Sequence, residues 1–343
     1  MNLTGAWCQT CLLASENMPL SGDTAISSDV RPEDFEQYRR ELTAYSYRML
    51  GSGFEAEDAV QETMVRAWQG ASSFEGRSAL RSWLYRIATN VCLDMQRSQQ
   101  RRARPMDLGP AYTADSTLPA PLAENTWVTP IADGRVLPDE GDPADLVVSR
   151  ESIRLAFISA LQRLPARQRA ILILREVLRW QAAEVAELLD ASVTSVNSAL
   201  QRARDTLSGT DLDERRAQVV DADQKALLAR YMDAFERYDV ARLVSLLHDD
   251  AILSMPPYPL WLRGPTEIGR WFLGQGIGCR GSRVVATDAN GGGAFASYRP
   301  DPAGGFSPWA LHIIEVSGDR IIGDHDFLDT ELFAAFGLPA HLP

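Results

Sequence analysis

Arg86, Asn90 and Arg97 recur at intervals of four and seven in a segment whose apolar residues keep to other positions. At about 100° per helical residue the three fall on nearly one line. Guanidinium and amide groups in such a row can hydrogen-bond phosphate oxygens and base edges, although a solvated charged face has the same composition. A second set offers related chemistry. Thr194, Ser195, Asn197, Ser198, Gln201, Arg202 and Arg204 share one helical face and suit phosphates and major-groove base edges. A third set is the electrical opposite: Glu57, Asp58, Gln61 and Glu62 turn an acidic face to solvent.

Periodic apolar residues supply the elements that must hold these groups. Ala56, Ala59, Val60, Met64, Ala67 and Trp68 recur at steps of three and four, one stripe of an amphipathic helix behind the acidic set. Leu80, Leu84, Ile87, Val91 and Met95 do the same behind the first basic set, in a stretch from Arg77 to Arg104 with seven Arg and one Asp. A helix from about Pro32 to Leu50 precedes them, with Pro32 in its first turn and Gly51–Gly53 ending it. Further on, Ile153, Phe157, Leu161 and Leu164 stripe one helix. Ala183, Val185, Ala186 and Leu189 stripe a short second one, Asp190–Ser192 makes a tight turn, and Val196, Ala199, Leu200, Ala203 and Leu207 face inward on a third. The last two have helix-turn-helix spacing, with small residues where they cross.

Charge is segregated. The 343 residues carry a net charge of −12, yet residues 146–209 hold nine Arg against six acidic residues, whereas 210–343 hold nineteen acidic against twelve basic. DNA contacts therefore belong upstream of about residue 210. Residues 105–145 contain seven of the nineteen prolines and eight acidic residues against one Arg, with no sustained periodicity, and read as a linker. Residues 1–30 read as a poorly ordered leader without a signal peptide. Four scattered cysteines fit a reducing cytosol, and Cys8–Cys11, without a second pair or a nearby His, is not read as a zinc or redox site. No run approaches the roughly 20 apolar residues of a membrane span.

The run from Arg48 to Arg97, with its AEDAVQE helix, Trp68, FEGRSALRSWLYRIATN, Asp94 and Arg97, resembles domain two of the extracytoplasmic-function group of sigma-70-type sigma factors. The resemblance implies that Glu57, Asp58, Gln61 and Glu62 bind the clamp helices of core RNA polymerase. It implies that Arg77, Arg81, Arg86, Asn90 and Arg97 engage the promoter −10 element, with the Gly70–Arg77 loop near a flipped base. LPARQRAILILRE followed by EVAELLDASVTSVNSALQRAR resembles sigma domain four. That places the second set, Thr194 to Arg204, on the −35 element. An acidic linker between such domains can lie in the polymerase channel for nascent RNA; an ordinary solvated tether is the other reading. Trp127-Val128-Thr129-Pro130 is similar in outline, with several departures, to a linker motif of sigma factors that carry a fused C-terminal domain.

Residues 210–343 open with helices, striped by Leu227, Tyr231, Ala234 and Phe235 and by Leu243, Leu246 and Leu247, with a third over Thr266–Leu273. The strand-like runs SRVVATD, AFASYR, WALHIIEVS and RIIGDHDFL follow, with Gly291–Gly293 as a hairpin turn. Helices before an antiparallel sheet make an α+β layer. The pattern resembles the SnoaL-like branch of the nuclear-transport-factor-like fold, a cone around an apolar pocket. Candidate walls are Trp261, Trp271, Phe272, Tyr298 and Trp309. Candidate acid–base residues are Asp233, His248, Asp249, His312, Asp324, His325 and Asp326; in a strand, Asp324 and Asp326 share one face and His325 takes the other. Related fusions carry an Asp-Gly-Gly-Gly-Lys contact motif, whereas Asn290-Gly291-Gly292-Gly293-Ala294 lacks both charged ends.

The expectation is a multidomain cytoplasmic protein: leader 1–30, sigma domain two 31–104, linker 105–145, sigma domain four 146–209 and a SnoaL-like α+β domain 210–343. Its partners would be core RNA polymerase and promoter DNA, with a small-molecule ligand in the C-terminal pocket left open. No cofactor, metal or catalytic residue is expected. A polymerase-independent helix-turn-helix regulator and a small-molecule enzyme are the competing readings.

Overall fold

The computed structural model describes residues 31, 33–71, 74, 79–97, 101–208 and 222–343. The expectations for the leader, Cys8–Cys11 and Arg77 lie outside the described residues.

Helices α1 (Arg39–Leu50), α2 (Gly53–Gly70) and α3 (Leu80–Gln96) form the first layer. The long helix expected from Pro32 is instead a short turn, Glu33–Glu36, followed by α1. Gly51, at φ 75°, closes α1, and Ser52 caps α2 by accepting from the Glu55 N–H at 3.4 Å. Leu42, Tyr45, Ala59, Val60, Leu84 and Val91 are buried between the three.

The second helical unit contains α4 (Pro143–Glu151), α5 (Leu155–Leu161), α6 (Ala166–Leu172), α7 (Ala182–Leu188) and α8 (Val193–Leu207). Val185, Ala186, Val196, Ala199 and Ala203 are buried where α7 meets α8. Asp190 takes φ 49° in the turn, and Ser192 caps α8 by accepting from the Ser195 N–H at 3.1 Å. This is a helix-turn-helix.

It packs directly on the first layer. Trp180 meets Tyr85 of α3 with ring centroids 5.1 Å apart. Arg169 of α6 is buried and donates to the Met49 carbonyl at the end of α1, to Gln162 Oε1 and to the Leu161 and Leu164 carbonyls. Arg48 is buried and donates to Ser152 Oγ at 2.7 Å. Burial pulls both guanidinium pKa values down to about 10.

The C-terminal half has α9 (Ala222–Glu236), α10 (Val240–Ser245) and α11 (Pro265–Leu273) against a six-stranded sheet. Its strands are β1 (Leu247–Ser254), β2 (Trp261–Arg263), β3 (Arg283–Ala289), β4 (Gly292–Pro300), β5 (Phe306–Ser317) and β6 (Arg320–Phe327), in the order β2-β1-β6-β5-β4-β3. The sheet is mixed rather than antiparallel, because β1 pairs parallel to β6. Leu247 opens β1 instead of extending a helix. Asn290 and Gly291, at φ 53° and 74°, form the tight turn between β3 and β4, the backbone that an Asn-Gly hairpin requires.

The linker is docked, not solvated. Alongside short helical turns of its own at Pro105–Leu108, Glu124–Thr126 and Asp133–Val136, it bonds to its neighbours. The Tyr112 N–H donates to the Trp261 carbonyl at 2.8 Å, and Trp261 Nε1 donates back to the Gly109 carbonyl at 2.9 Å. The Ala114 N–H donates to Glu267 Oε2 at 2.7 Å. Asp107 ties the linker to α5 and its C-terminal end, accepting from Ser159 Oγ at 2.6 Å and Arg163 at 2.9 Å; despite burial, Arg104 and these donors pull it down to about 2.

The first helical layer, the linker, the segment before α5 and the C-terminal sheet meet at Asn290. Its Nδ2 donates to Tyr47 Oη of α1 and to the Ile153 carbonyl before α5, each at 2.7 Å. Its Oδ1 accepts from the Ile131 N–H of the linker at 3.1 Å. Tyr47 Oη donates onward to the Thr129 carbonyl at 2.9 Å, and the Gly291 N–H donates to Asp133 Oδ1 at 2.8 Å. A Cβ on Gly291 would lie 2.7 Å from the Arg150 carbonyl oxygen, so only glycine lets this hairpin reach α4. The absent charged ends of the Gly-Gly-Gly string do not prevent the domain contact: an amide that donates twice and accepts once does the work. Trp127, Val128 and Thr129 of the departed linker motif are buried beside it.

Candidate polymerase and promoter interfaces

Glu57, Asp58, Gln61 and Glu62 are all exposed on α2. Glu62 pairs with Arg66 at 2.7 Å, and Glu57 lies 3.5 Å from Arg135 of the linker. Trp68 corrects the expected stripe. It is 63 % exposed, and Val65 is 41 % exposed. Eight residues beyond Val60, Trp68 is rotated by roughly 80°, in angular line with Glu57 and Gln61 but about two turns beyond Gln61 along the axis. An exposed indole toward the end of a helix that carries an acidic face has the make-up of an interface anchor. Counting helical angle more finely would have found it.

The first basic set divides. Arg86, Asn90 and Arg97 are exposed along α3. Arg81 is not on that surface: its guanidinium grips Glu41 at 2.8–3.1 Å and lies over the rings of Tyr85 and Trp180. Glu41 and Trp180, both distant in sequence, draw it into the packing between the helical units. Arg86 reaches across to α7, donating to the Glu187 carbonyl at 3.2 Å with the Glu187 carboxylate at 3.7 Å.

The second set is coherent. Thr194, Ser195, Asn197, Ser198, Gln201, Arg202 and Arg204 are all exposed on α8. Gln201 donates to Asp205 at 2.8 Å, and Arg204 pairs with Glu176 at 2.5 Å. The helix-turn-helix thus stands against α3 with its polar face outward.

The acid–base candidates are split by the sheet. His248 and Asp249 are exposed on β1, and Asp233 pairs with Arg237 and Arg242. His325 faces Ser254 at 2.8 Å and Glu315 at 3.5 Å. On the opposite face His312, Asp324 and Asp326 converge, because β5–β6 register sets His312 directly across from Asp326. His312 Nδ1 lies 2.6 Å from Asp326 Oδ1 and 3.4 Å from Asp324 Oδ1. Its Nε2 is 3.0 Å from Ser297 Oγ, and Tyr231 Oη donates to Asp324 Oδ2 at 2.7 Å. Burial opposes the imidazolium, but Asp326 and Asp324 push His312 up to about 10. Burial and the Asp324 charge push Asp326 up to about 7, whereas His312 holds Asp324 low against its own burial.

Phe295 stacks on the His312 ring at 4.2 Å, and Phe235 meets its edge. Of the candidate pocket walls, Trp261, Trp271, Phe272 and Tyr298 are buried side chains, and Trp309 lies under Arg299. A cavity of about 310 Å³ lies elsewhere, lined by Pro308, Thr330, Phe333, Ala334, Leu338 and Ala340. Among the described residues, no helix is long and apolar enough to cross a membrane.

Residues 35–102 match the family described as Sigma-70 region 2, residues 154–207 match Sigma-70, region 4, and residues 228–323 match the SnoaL-like domain. Over 324 residues the chain is 43% identical to the ECF RNA polymerase sigma factor SigG of Mycobacterium tuberculosis, spanning 92% of this chain and 86% of that one. It is 31% identical over 170 residues to the ECF RNA polymerase sigma factor SigW of Bacillus subtilis, spanning 50% and 82%. The crystal structure of the extracytoplasmic function sigma factor SigJ of Mycobacterium tuberculosis aligns with a TM-score of 0.58 at 22% identity, over 90% of this chain and all of that one. At that identity it speaks for the fold.

Proposed function

The chain belongs to the ECF RNA polymerase sigma factors, and from that premise we propose that it docks on core polymerase through α2 and reads promoter DNA through α3 and α8. The observation that carries this reading is the pairing, on one chain, of an exposed acidic helix with two exposed polar faces. DNA binding alone has no use for the acidic surface, which disfavours a polymerase-independent regulator. The aromatic packing around His312 disfavours a turnover site, and the role is that of a non-enzymatic initiation factor.

The closed arrangement adds a regulatory step. Positions −35 and −10 are about 25 base pairs apart, roughly 85 Å of duplex. Arg86 touches the helix-turn-helix, so the two readers cannot reach both elements until they separate. The SnoaL-like domain, through Asn290, is the internal clamp that opposes this separation. A ligand or partner that binds the open form better would activate the protein, by no more than that difference in affinity.

Transcription from a cognate promoter tests the readers. Gln201→Ala or Arg202→Ala should each lower output by the roughly 1–3 kcal/mol of a good base contact and relax preference at one −35 position. Arg204→Ala should weaken all sequences alike and flatten the salt dependence, the mark of a phosphate contact. Wild-type activity and salt slope in all three would remove α8 from promoter recognition. Trp68→Ala should weaken core polymerase binding by roughly 2 kcal/mol, the size expected for an aromatic anchor, with little change in Tm. Unchanged affinity would leave the indole outside the interface.

A further inference from the structure

His312, Asp324 and Asp326 form a closed group whose geometry calls for a cation. Ser297 Oγ donates its single proton to the Ala310 carbonyl at 3.3 Å, so at its contact with His312 it must accept. Nε2 therefore carries hydrogen, and Nδ1 is the atom turned toward the two carboxylates. Tyr231 Oη, donating to Asp324 Oδ2, leaves Asp324 Oδ1 toward the same point. Asp326 Oδ1 lies 2.6 Å from Nδ1 but makes no hydrogen bond of acceptable geometry, and it is sealed from solvent on a residue only 7 % exposed. One nitrogen and two oxygens, all within 4.8 Å of one another, thus converge on one point, and of the two contacts to Nδ1 only the longer, to Asp324 Oδ1 at 3.4 Å, has hydrogen-bond geometry.

Charge sharpens the argument. Two acidic side chains are brought together against the aromatic walls of Phe235 and Phe295, away from solvent, where burying carboxylate charge without a partner is costly. A divalent ion on a neutral His312 brings the sum to zero. Ser297 and Tyr231 are placed as the outer hydrogen bonds that fix a histidine tautomer and orient a carboxylate ligand. We propose that His312 Nδ1, Asp324 Oδ1 and Asp326 Oδ1 hold one divalent transition-metal ion inside the C-terminal cone. An imidazole with two carboxylates suits Zn²⁺, Mn²⁺, Fe²⁺ or Co²⁺, at bond lengths of about 2.0–2.2 Å. Lying under the sheet that carries Asn290 at its end, the ion stiffens the clamp.

The test uses the full chain, purified without a metal-binding tag, unfolded with chelator, refolded and titrated separately with Zn²⁺, Mn²⁺ and Co²⁺. The expected result is about one ion per chain, a Tm raised by several degrees, and a visible Co²⁺ absorption typical of nitrogen and oxygen ligation. Asp326→Asn keeps the shape and removes the ligand charge, so uptake should fall at least roughly tenfold. His248→Ala, at an exposed histidine on β1, should bind like wild type. A wild-type chain that takes up none of the three metals, with an unmoved Tm, overturns the site and leaves a proton as the balancing cation. Equal uptake by the Asp326→Asn chain overturns it as well. Should that variant not fold, the Co²⁺ spectrum and Tm of the wild-type chain decide alone.

Discussion

Asn290→Ala should loosen the clamp by about 3 kcal/mol or more, shifting the closed-to-open ratio roughly a hundredfold. The amide joins α1, the linker and the segment before α5 at once, and alanine replaces none of its three bonds. The Ile131 N–H is left buried without that acceptor, which costs more than the lost bonds are worth on average. Gly291→Ala should act in the same direction by a different route, since its Cβ would strike the Arg150 carbonyl and its φ of 74° is unfavourable for alanine. The measurement is the distance between fluorophores on exposed positions of α3 and α8, with promoter-dependent output measured in parallel. The variants should lengthen the distance and raise output at limiting protein. Unchanged distance and output in both would mean that the C-terminal domain does not restrain the readers.

Charge reversal at Asp58 and Glu62 should weaken binding to core polymerase by at least tenfold. Both side chains are exposed on α2, and Glu62 gives up only a surface pair with Arg66. Exposed ion pairs contribute about 0–1 kcal/mol, so the fold should survive. The loss should grow as salt is lowered, because two like charges would then face a basic partner with less screening. A folded double variant with wild-type affinity would detach the acidic face from polymerase binding.

The sequence told most where one element answers to one period. The stripes of α2, α3 and α8 follow from local chemistry, and so does a turn at the glycine run, although Asn290 and Gly291 form it while Gly292 and Gly293 open β4; each exposed face was readable once the buried one was assigned. Trp68 was misread because a rim position counts as apolar in a coarse stripe. Arg81 sits apart from the Arg86–Arg97 row because Glu41 and Trp180, which hold it, lie 40 and 99 residues away in sequence. The linker has no period of its own, since its order comes from partners such as Trp261 and Glu267. β1 hid behind His248-Asp249-Asp250, whose exposure interrupts the alternation, and its parallel partner β6 lies some seventy residues on. The His312 group is invisible in sequence because strand register, not spacing, brings it together.

The most direct measurement is run-off transcription by core RNA polymerase, with and without this chain, on the DNA upstream of its own gene and on genomic fragments. The account predicts discrete transcripts that appear only when the chain is present, start downstream of paired −35 and −10 elements, and vanish with the Asp58 and Glu62 reversals. Transcripts that do not depend on the chain, or chain-bound DNA from which polymerase never initiates, would contradict it.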